Sequence, residues 1–255
     1  MKLYLASLEG GGQWKYVYPL LPTLTEKIYV LGSFFYIRSL QNYSSVYPIC
    51  KDFMLDSGAF TFMNGVKLPN WEHYIENYAD YIKQHKIQKF FELDIDNVVG
   101  YSKVKELRYR LEKLTDRYCI PVWHVSRGFD EFKRMCDEYP YVAVGGIVSK
   151  EITPDKYDMF TVLIKEAHKR KAKIHGLGFT SVKLLSKYHF DSVDSSSWSY
   201  GRRQGYCYIF RHNTISQIRA SDEDRAKGVR TKAQGITENN FREWIKFQKY
   251  AEVHL

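Results

Sequence analysis

Two aspartates, each ending a short apolar run and followed by small residues, are the side chains of this sequence best suited to chemistry. The first lies in Leu55-Asp56-Ser57-Gly58-Ala59-Phe60 and the second in Val193-Asp194-Ser195-Ser196-Ser197-Trp198. A double-displacement enzyme requires two carboxylates, one as nucleophile and one as proton carrier. An Asp after a strand also serves as a cap for the next helix. The recurrence of the pattern along the chain favours the catalytic interpretation.

Polar or glycine-rich residues end several other apolar runs. In parallel α/β folds the site forms where the strands end, at their carboxyl edge. Glycine pairs let a flat ligand approach the backbone, whose N–H groups can then bind it. The further candidates are Asp94 with Asp96, His124 with Ser126, Gly145-Gly146, and His175-Gly176.

Short apolar runs alternate with amphipathic segments, which predicts a parallel sheet. About eight such strands favour a closed (β/α)8 TIM-type barrel, with an open doubly wound sheet as the alternative. The predicted strands are Lys2–Leu8, Lys27–Leu31, Phe53–Leu55, Lys89–Asp94, Pro121–Val125, Tyr141–Gly145, Lys173–Gly178 and Phe190–Asp194. The predicted helices are one capped by Asn70, one starting at Thr153-Pro154-Asp155, and Lys103–Tyr118, Asp130–Glu138, Ser181–Lys187 and Glu238–Val253.

The length and composition fit a single cytosolic domain. The chain has 255 residues, 44% of them hydrophobic, which suits one barrel over residues 1–255. No apolar run approaches the roughly 18 residues of a membrane span, and the N-terminus lacks the pattern of a signal peptide, so we expect a cytoplasmic protein without a membrane partner. The four cysteines, Cys50, Cys119, Cys136 and Cys207, are scattered and predict neither disulfides nor a metal site.

The charge points to a polyanionic partner. The net charge is +9 and aromatic residues make up 16% of the chain. A basic insertion or loop is predicted around residues 199–235, and its segment Arg211–Lys232 is either a solvated loop or a clamp on a phosphate backbone. The cations predicted to bind nucleic acid are Arg202, Arg203, Arg225, Lys227, Arg230 and Lys232.

From Asp56 to Arg203 these motifs resemble, in order, those of the tRNA-guanine transglycosylase superfamily, including its members that place 7-deazaguanine bases into DNA. The resemblance implies Asp56 as general acid/base, with Ser57 and Phe60 beside the base, and Asp194 as nucleophile. It implies that Asp94 reads the Watson–Crick edge of a guanine-like base and that Gly145-Gly146 supplies backbone hydrogen bonds. Ile174-His175-Gly176-Leu177-Gly178 is similar to the segment that forms the other face of the pocket, with His175 where the family often has Met.

Asp191 is the alternative match to the nucleophile, because Phe190-Asp191-Ser192 also looks like a family motif. Asp194 is preferred because it keeps the following Ser-x-Ser-aromatic pattern and Arg203 in place. The chain departs from the family in two respects. No residue after Cys207 could supply the ligands of the family's zinc subdomain. The family's Gln-Gly-Gly strand end is here Val122–Gly128, so His124 or Ser126 takes the place of the Gln.

The resemblance implies a complete exchange mechanism. Asp194 attacks C1′ of the sugar as the purine leaves, and Asp56 accepts the proton that the incoming base must lose. One glycosidic bond replaces another, so neither a metal nor any other cofactor is needed. The target nucleotide must be turned out of its stack, and Phe60 and His175 are expected to sandwich its base.

The resemblance favours DNA over tRNA as the nucleic-acid partner, because the zinc subdomain is missing and the chain is compact. The second substrate is then a free 7-deazaguanine base such as preQ0 or preQ1. Small DNA-modifying relatives are associated with bacteriophages, which implies the host cytoplasm as location. The alternatives are a tRNA-guanine transglycosylase, a base-excising N-glycosidase in which water resolves the intermediate, and a non-catalytic nucleic-acid-binding barrel.

Overall fold

Eight parallel strands form one curled sheet in the computed structural model, which describes residues 1–63, 66–179, 181–219 and 233–255. The strands occur in the order β4-β3-β2-β1-β8-β7-β6-β5, so consecutive strands are neighbours, and β1 and β8 lie side by side. All eight strands predicted from the sequence are confirmed. They are Lys2–Ala6 (β1), Ile28–Ser33 (β2), Cys50–Asp56 (β3), Lys89–Phe90 (β4), Val122–Trp123 (β5), Tyr141–Val144 (β6), Lys173–Gly176 (β7) and Ser192–Ser195 (β8).

The two edge strands, β4 and β5, meet at a single bridge and not along a ladder. Phe91 and Ile120 form this parallel bridge, in which Ile120 N–H donates to Phe90 O at 2.8 Å and Glu92 N–H donates to Ile120 O at 3.1 Å. The sheet is therefore a half-barrel in which β4 and β5 are shorter than predicted. The residues beyond their ends leave the ladder and carry the polar side chains of the candidate site.

Apolar side chains pack on both faces of the sheet. Leu3 and Leu5 of β1 face the helices, whereas Tyr4 and Ala6 face the concave interior, as the two-residue period of a strand requires. The interior also holds Tyr29, Leu31, Met54, Phe91, Ile120, Val122 and Ala143. A sheet buried on both faces explains why its strands appear in the sequence as nearly continuous apolar runs.

Helices connect the strands and cover the outer face. The predicted Asn70 cap is confirmed, since Asn70 Oδ1 accepts from His73 N–H at 3.1 Å. The segment after Thr153 begins as a 3-10 turn, and Ser181–Lys187 forms only the 3-10 turn Val182–Leu184. The helices are Trp14–Val17 (α1), Phe34–Ile37 (α2), Ala59–Met63 (α3), Trp71–Gln84 (α4), Asp96–Val99 (α5), Tyr101–Thr115 (α6), Phe129–Glu138 (α7), Met159–Lys169 (α8), Ser197–Gln204 (α9) and Ala233–His254 (α10). Further 3-10 turns are Gly10–Gly12, Tyr18–Thr23, Tyr43–Ile49, Val125–Arg127 and Pro154–Lys156.

An antiparallel hairpin follows α9, where the sequence predicted a basic insertion or loop. Its strands are Tyr206–Arg211 (β9) and Thr214–Arg219 (β10). His212 and Asn213 at the turn have φ angles of 50° and 62°, as a type I′ turn requires at both central residues. The hairpin packs on α10. The cations Arg225, Lys227, Arg230 and Lys232 lie outside the described residues.

Among the residues that the structure describes, none of the helices combines the length and the apolar character needed to cross a membrane.

Candidate active site

Asp56 ends β3 and is held by the turn that follows it. Its register partner is Ser33 at the end of β2, and its Oδ2 accepts the Gly58 N–H at 2.8 Å. Gly58 has a φ of +83°, and a Cβ there would lie 2.4 Å from Cβ of Phe35. The glycine of this motif is therefore required by backbone conformation and by space.

Three carboxylates converge at the carboxyl edge of the sheet. Burial, together with the negative charges of Asp194 and Asp94, outweighs the opposing hydrogen bond from Gly58 and raises the pKa of Asp56 to about 6. A carboxyl group with this pKa exchanges protons readily near neutral pH, as a general acid/base must.

Asp194 lies in β8, and its carboxylate is oriented by two donors. Asp194 is 8% exposed. Its Oδ1 accepts the Gly178 N–H at 2.6 Å and lies 3.2 Å from Nε2 of His175. Gly178 has a φ of +71°, and a Cβ there would lie 2.3 Å from Cγ2 of Val148. Only glycine can therefore place this backbone amide on Asp194.

Asp191, the alternative nucleophile, lies at the opposite edge of the sheet. It precedes β8, and its Oδ2 accepts the Ile174 N–H at 2.8 Å and lies 3.0 Å from Nε2 of the exposed His168. The carboxylate of Asp194, and not that of Asp191, therefore shares an edge with Asp56.

Asp94 and His124 form an ion pair beside Asp56. Nε2 of His124 lies 2.6 Å from Oδ1 of Asp94, and Nδ1 lies 2.8 Å from Oε2 of Glu151. Burial lowers the pKa of His124, but these two carboxylates outweigh burial and raise that pKa to about 9. Burial also raises the pKa of Asp94, in opposition to the hydrogen bond from His124. His124 is thus a cation at neutral pH that occupies one of the two oxygens of Asp94.

Ser126 joins the same cluster through its backbone, since Ser126 N–H donates to Oε1 of Glu151 at 3.1 Å. Sequence reasoning missed Glu151. It lies five residues after Gly146 on a loop with no periodic pattern, and only its acidic type gave a signal.

The two glycines at the end of β6 differ in what they can offer a ligand. Gly145 N–H donates to Trp123 O at 2.9 Å, and a Cβ on Gly145 would lie 2.7 Å from Cε1 of His124. The expectation that the Gly145 amide binds a base is therefore wrong, because the sheet already uses it. Gly146 has a φ of +82°, and its N–H has no acceptor within the ranges that the structure describes.

Ser57 and Phe60, both in the segment after Asp56, differ in exposure. Ser57 is fully buried, its carbonyl oxygen accepts the Tyr74 hydroxyl at 2.6 Å, and its own Oγ has no hydrogen-bond partner among the described residues. Phe60 is 48% exposed, so its ring remains accessible to a base.

His175 and Gly176 do not line an open pocket as predicted. His175 is fully buried in the sheet interior, where its ring packs against Tyr4 and Phe91, and it therefore cannot stack on a base. A Cβ on Gly176 would lie 3.2 Å from Phe179 and Phe190, so Gly176 permits packing toward the outer core. Both residues lie too deep in the sheet for the contacts expected of them.

Glu9 is a further carboxyl group near Asp56 that sequence reasoning missed. It follows the first apolar run, and its Oε1 accepts the Ser33 N–H at 2.9 Å. Burial raises the pKa of Glu9 to about 7, and the charge of Asp56 also raises it. The signal was present, because Glu9 is an acidic residue at a strand end, before three glycines.

A buried ion network supports the loop of Asp94. Oε1 of Glu92 accepts from Arg127 at 2.8 Å, and Oε2 accepts from Arg108 at 2.6 Å. Arg127 also binds both oxygens of Asp96, at 2.9 and 2.5 Å. The network ties the ends of β4 and β5 together at the edge where they form no ladder.

One group of side chains has the spacing of a metal site. The ligand atoms of Asp94, Asp96 and His124 lie within 4.8 Å of one another. Arg127 binds both oxygens of Asp96, however, and His124 binds carboxylates through both ring nitrogens. The cations of the protein itself thus occupy the groups that a metal ion would need.

Arg202 and Arg203 lie in the last turn of α9. Cζ of Arg202 lies 5.9 Å from the ring centroid of Tyr16, and its Nη2 would lie 4.0 Å from a Cβ on Gly12. Arg202 therefore reaches the segment after β1, near the edge that carries Glu9. Arg203 is exposed.

No protein-family model matches the chain, and no curated protein matches it significantly.

Proposed function

We propose that the chain is a transglycosylase that exchanges guanine in a nucleic acid, with DNA favoured, for a 7-deazaguanine base through a covalent glycosyl-aspartate intermediate. The observation that carries the proposal is the pairing of Asp56 and Asp194 at one edge of the sheet in different environments. Asp194 is held by two donors, whereas Asp56 is a buried acid with a pKa of about 6. Two carboxyl groups with such different surroundings suit the roles of nucleophile and proton carrier.

In the first half of the reaction, an oxygen of Asp194 attacks C1′ and the C1′–N9 bond breaks, so the guanine leaves with the electron pair. Asp56 in its protonated form donates a proton to the departing base. In the second half, the carboxylate of Asp56 takes a proton from the incoming base, whose nitrogen attacks C1′ and releases Asp194. One residue thus serves as acid and then as base, and the proton balance closes.

The base pocket in this proposal differs from the one expected from the motifs. Oδ1 of Asp94 is engaged by His124, which leaves Oδ2 to accept from N1–H or the exocyclic amine of a guanine-like base. Gly146 N–H is the backbone donor, and Phe60 is the exposed ring on which the base stacks. His175 has no contact with the base.

We further propose that the half-barrel is a closed (β/α)8 barrel in solution. The sequential strand order and the Phe91–Ile120 bridge support this, because the order is that of a TIM barrel and the bridge joins the two edges. The active site would then lie at the carboxyl end of the barrel, as it does in TIM-barrel enzymes.

Product analysis tests the function. The protein is incubated with a mass-tagged 7-deazaguanine base and either duplex DNA or tRNA. The nucleic acid is then digested, and its nucleosides are separated and identified by mass spectrometry. We expect the tagged nucleoside in DNA, with one guanine released for each base incorporated, and no product from Asp194→Asn. Abasic sites would identify an N-glycosidase, and incorporation into tRNA alone would identify the tRNA-type activity. No reaction with either nucleic acid would refute the proposal.

A further inference from the structure

A series of hydrogen bonds leads from the sheet interior to the proposed nucleophile. Tyr141 OH lies 2.5 Å from Ser192 Oγ, Ser192 Oγ lies 2.5 Å from His175 Nδ1, and His175 Nε2 lies 3.2 Å from Asp194 Oδ1. We call Tyr141, Ser192 and His175 the interior series. His175 and Ser192 have no exposed surface, so these bonds are sheltered from water.

The chemistry of the end group fixes the direction of the series. A carboxylate only accepts hydrogen bonds, so Nε2 of His175 must carry the proton toward Asp194. In the neutral imidazole Nδ1 then accepts from the Ser192 hydroxyl, and Ser192 Oγ accepts from the Tyr141 hydroxyl. Every donor in the interior series points toward Asp194. The hydrogen bond from Ser192 to Nδ1 thus keeps the proton of His175 on Nε2, because the partner of one ring nitrogen sets the protonation of the other.

The two oxygens of Asp194 are consequently unlike. Oδ1 accepts both the Gly178 N–H and the His175 Nε2–H, whereas Oδ2 has no donor among the described residues. Oδ2 is therefore the oxygen with a free lone pair for attack, and Oδ1 becomes the carbonyl oxygen of the ester intermediate.

We propose that His175 is a positioning residue that sets how fast the glycosyl-aspartate intermediate breaks down relative to how fast it forms; this rests on the proposed function. When the Oδ2–C1′ bond forms and the C1′–N9 bond breaks, negative charge leaves Oδ1. When the incoming base attacks C1′, the C1′–Oδ2 bond breaks and its electron pair returns to the carboxylate. The donors on Oδ1 stabilise that returning charge, as oxyanion donors do.

The two halves of the reaction should therefore respond in opposite ways to loss of the His175 donor. The donor stabilises the free carboxylate more than the ester, so its removal leaves attack by Asp194 as fast as before, or faster. Breakdown of the ester becomes slower, because the departing carboxylate is less stabilised. A residue needed only for folding would slow both halves together.

The experiment measures the two halves separately. DNA and protein are mixed without free base, samples are denatured at intervals, and the covalent protein–DNA adduct is quantified by gel and mass spectrometry. A 7-deazaguanine base is then added, and decay of the adduct is followed. The variants are His175→Met, which removes both nitrogens, and His175→Gln, whose amide keeps one donor and one acceptor. The matched control is His168→Gln, an exposed histidine at the opposite edge.

We expect His175→Met to form the adduct at the parent rate or faster and to lose it about tenfold more slowly. His175→Gln should recover most of the decay rate, and His168→Gln should match the parent. If His175→Met fails to fold, Ser192→Ala and Tyr141→Phe carry the test, with the same signs and smaller effects. An equal slowing of formation and decay, or no change in either, would overturn the inference alone. A parent protein that neither exchanges bases nor forms an adduct would overturn the proposed function as well.

Discussion

Nε2 of His124 lies 2.6 Å from Oδ1 of Asp94, so the carboxylate expected to read a base is already paired with a cation of the protein. The pairing leaves Oδ2 of Asp94 available to a ligand. It also fixes the orientation of the carboxylate, because His124 and Arg127 both lie on the side of Oδ1. A pocket whose polar groups are fixed in advance discriminates strongly, since a ligand that cannot pair with them leaves them buried without partners.

Asp94→Asn should therefore weaken the binding of a 7-deazaguanine base by about 10-fold to 100-fold, the equivalent of about 1.5–3 kcal/mol for a hydrogen bond to a charged group. Selection against adenine-like bases should weaken with it. Titration calorimetry with the free bases measures both effects. Asp130→Asn is the control, because its side chain is 93% exposed at the start of α7. Unchanged affinity in Asp94→Asn would show that Asp94 does not contact the base.

Glu9 and Asp56 should make the folded state less stable as the pH rises, which is the opposite of the usual effect of carboxyl groups. Both are acids whose pKa values are raised by burial, to about 7 and about 6. The folded state then binds protons more tightly than the unfolded chain between about pH 4 and pH 7. Stability is consequently highest at the acidic end of that window and falls as these groups ionise with rising pH.

Glu9→Gln removes one of these ionisations. It should stabilise the protein at pH 8 by roughly 1–3 kcal/mol relative to the parent, and most of the difference should be lost by about pH 4, where the glutamate is mostly protonated in both states. Urea unfolding from pH 4 to pH 8 measures this. Glu138→Gln, at an exposed position, should show no such dependence. A Glu9→Gln variant that is less stable than the parent at pH 8 would show that the charged form of Glu9 is the one the fold requires.

The strands and their polar ends could be predicted from the sequence, because burial on both faces leaves continuous apolar runs and site residues interrupt them. Pairings between loops could not. His124 meets Asp94 and Glu151 across two connections whose conformations have no periodicity. The depth of His175 was also hidden, because alternation shows which face of β7 it occupies but not how far below the rim it lies.

The hairpin after α9 had a usable signal that its charge obscured. The apolar and aromatic run Tyr206–Phe210 lies just before the turn at His212-Asn213, a pair that tolerates positive φ angles. The cations of the same region suggested a loop instead. The apolar run was the better guide there, because five consecutive apolar or aromatic residues followed by turn residues are typical of a strand and not of a solvated loop.

The position of Asp194 relative to Asp191 gives a matched pair for the nucleophile. Asp194→Asn should reduce base exchange by several orders of magnitude, because an amide cannot form the glycosyl ester, while unfolding and nucleic-acid binding stay close to the parent. Asp191→Asn should retain exchange and lose only modest stability, since its carboxylate accepts the Ile174 N–H at the opposite edge. Exchange rates of both variants under single-turnover conditions are the measurement. The reverse result would assign the chemistry to Asp191.

Salt dependence should reveal the surface that holds the nucleic acid. Each cation that neutralises a phosphate contributes about −0.7 to −0.9 to the slope of log affinity against log salt concentration. The sequence predicts that Arg225, Lys227, Arg230 and Lys232 act in this way, and Arg203 is exposed in the last turn of α9. Replacing these five residues by Ala should flatten the slope and weaken DNA binding, but leave affinity for the free base unchanged.

The control variant removes the same total charge from another part of the surface. It replaces five exposed lysines that lie on or just after the helices α4, α6 and α8: Lys86, Lys113, Lys165, Lys169 and Lys171. If net charge alone governs binding, both variants will flatten the slope equally. If the region after the nucleophile is the clamp, only the first variant will do so.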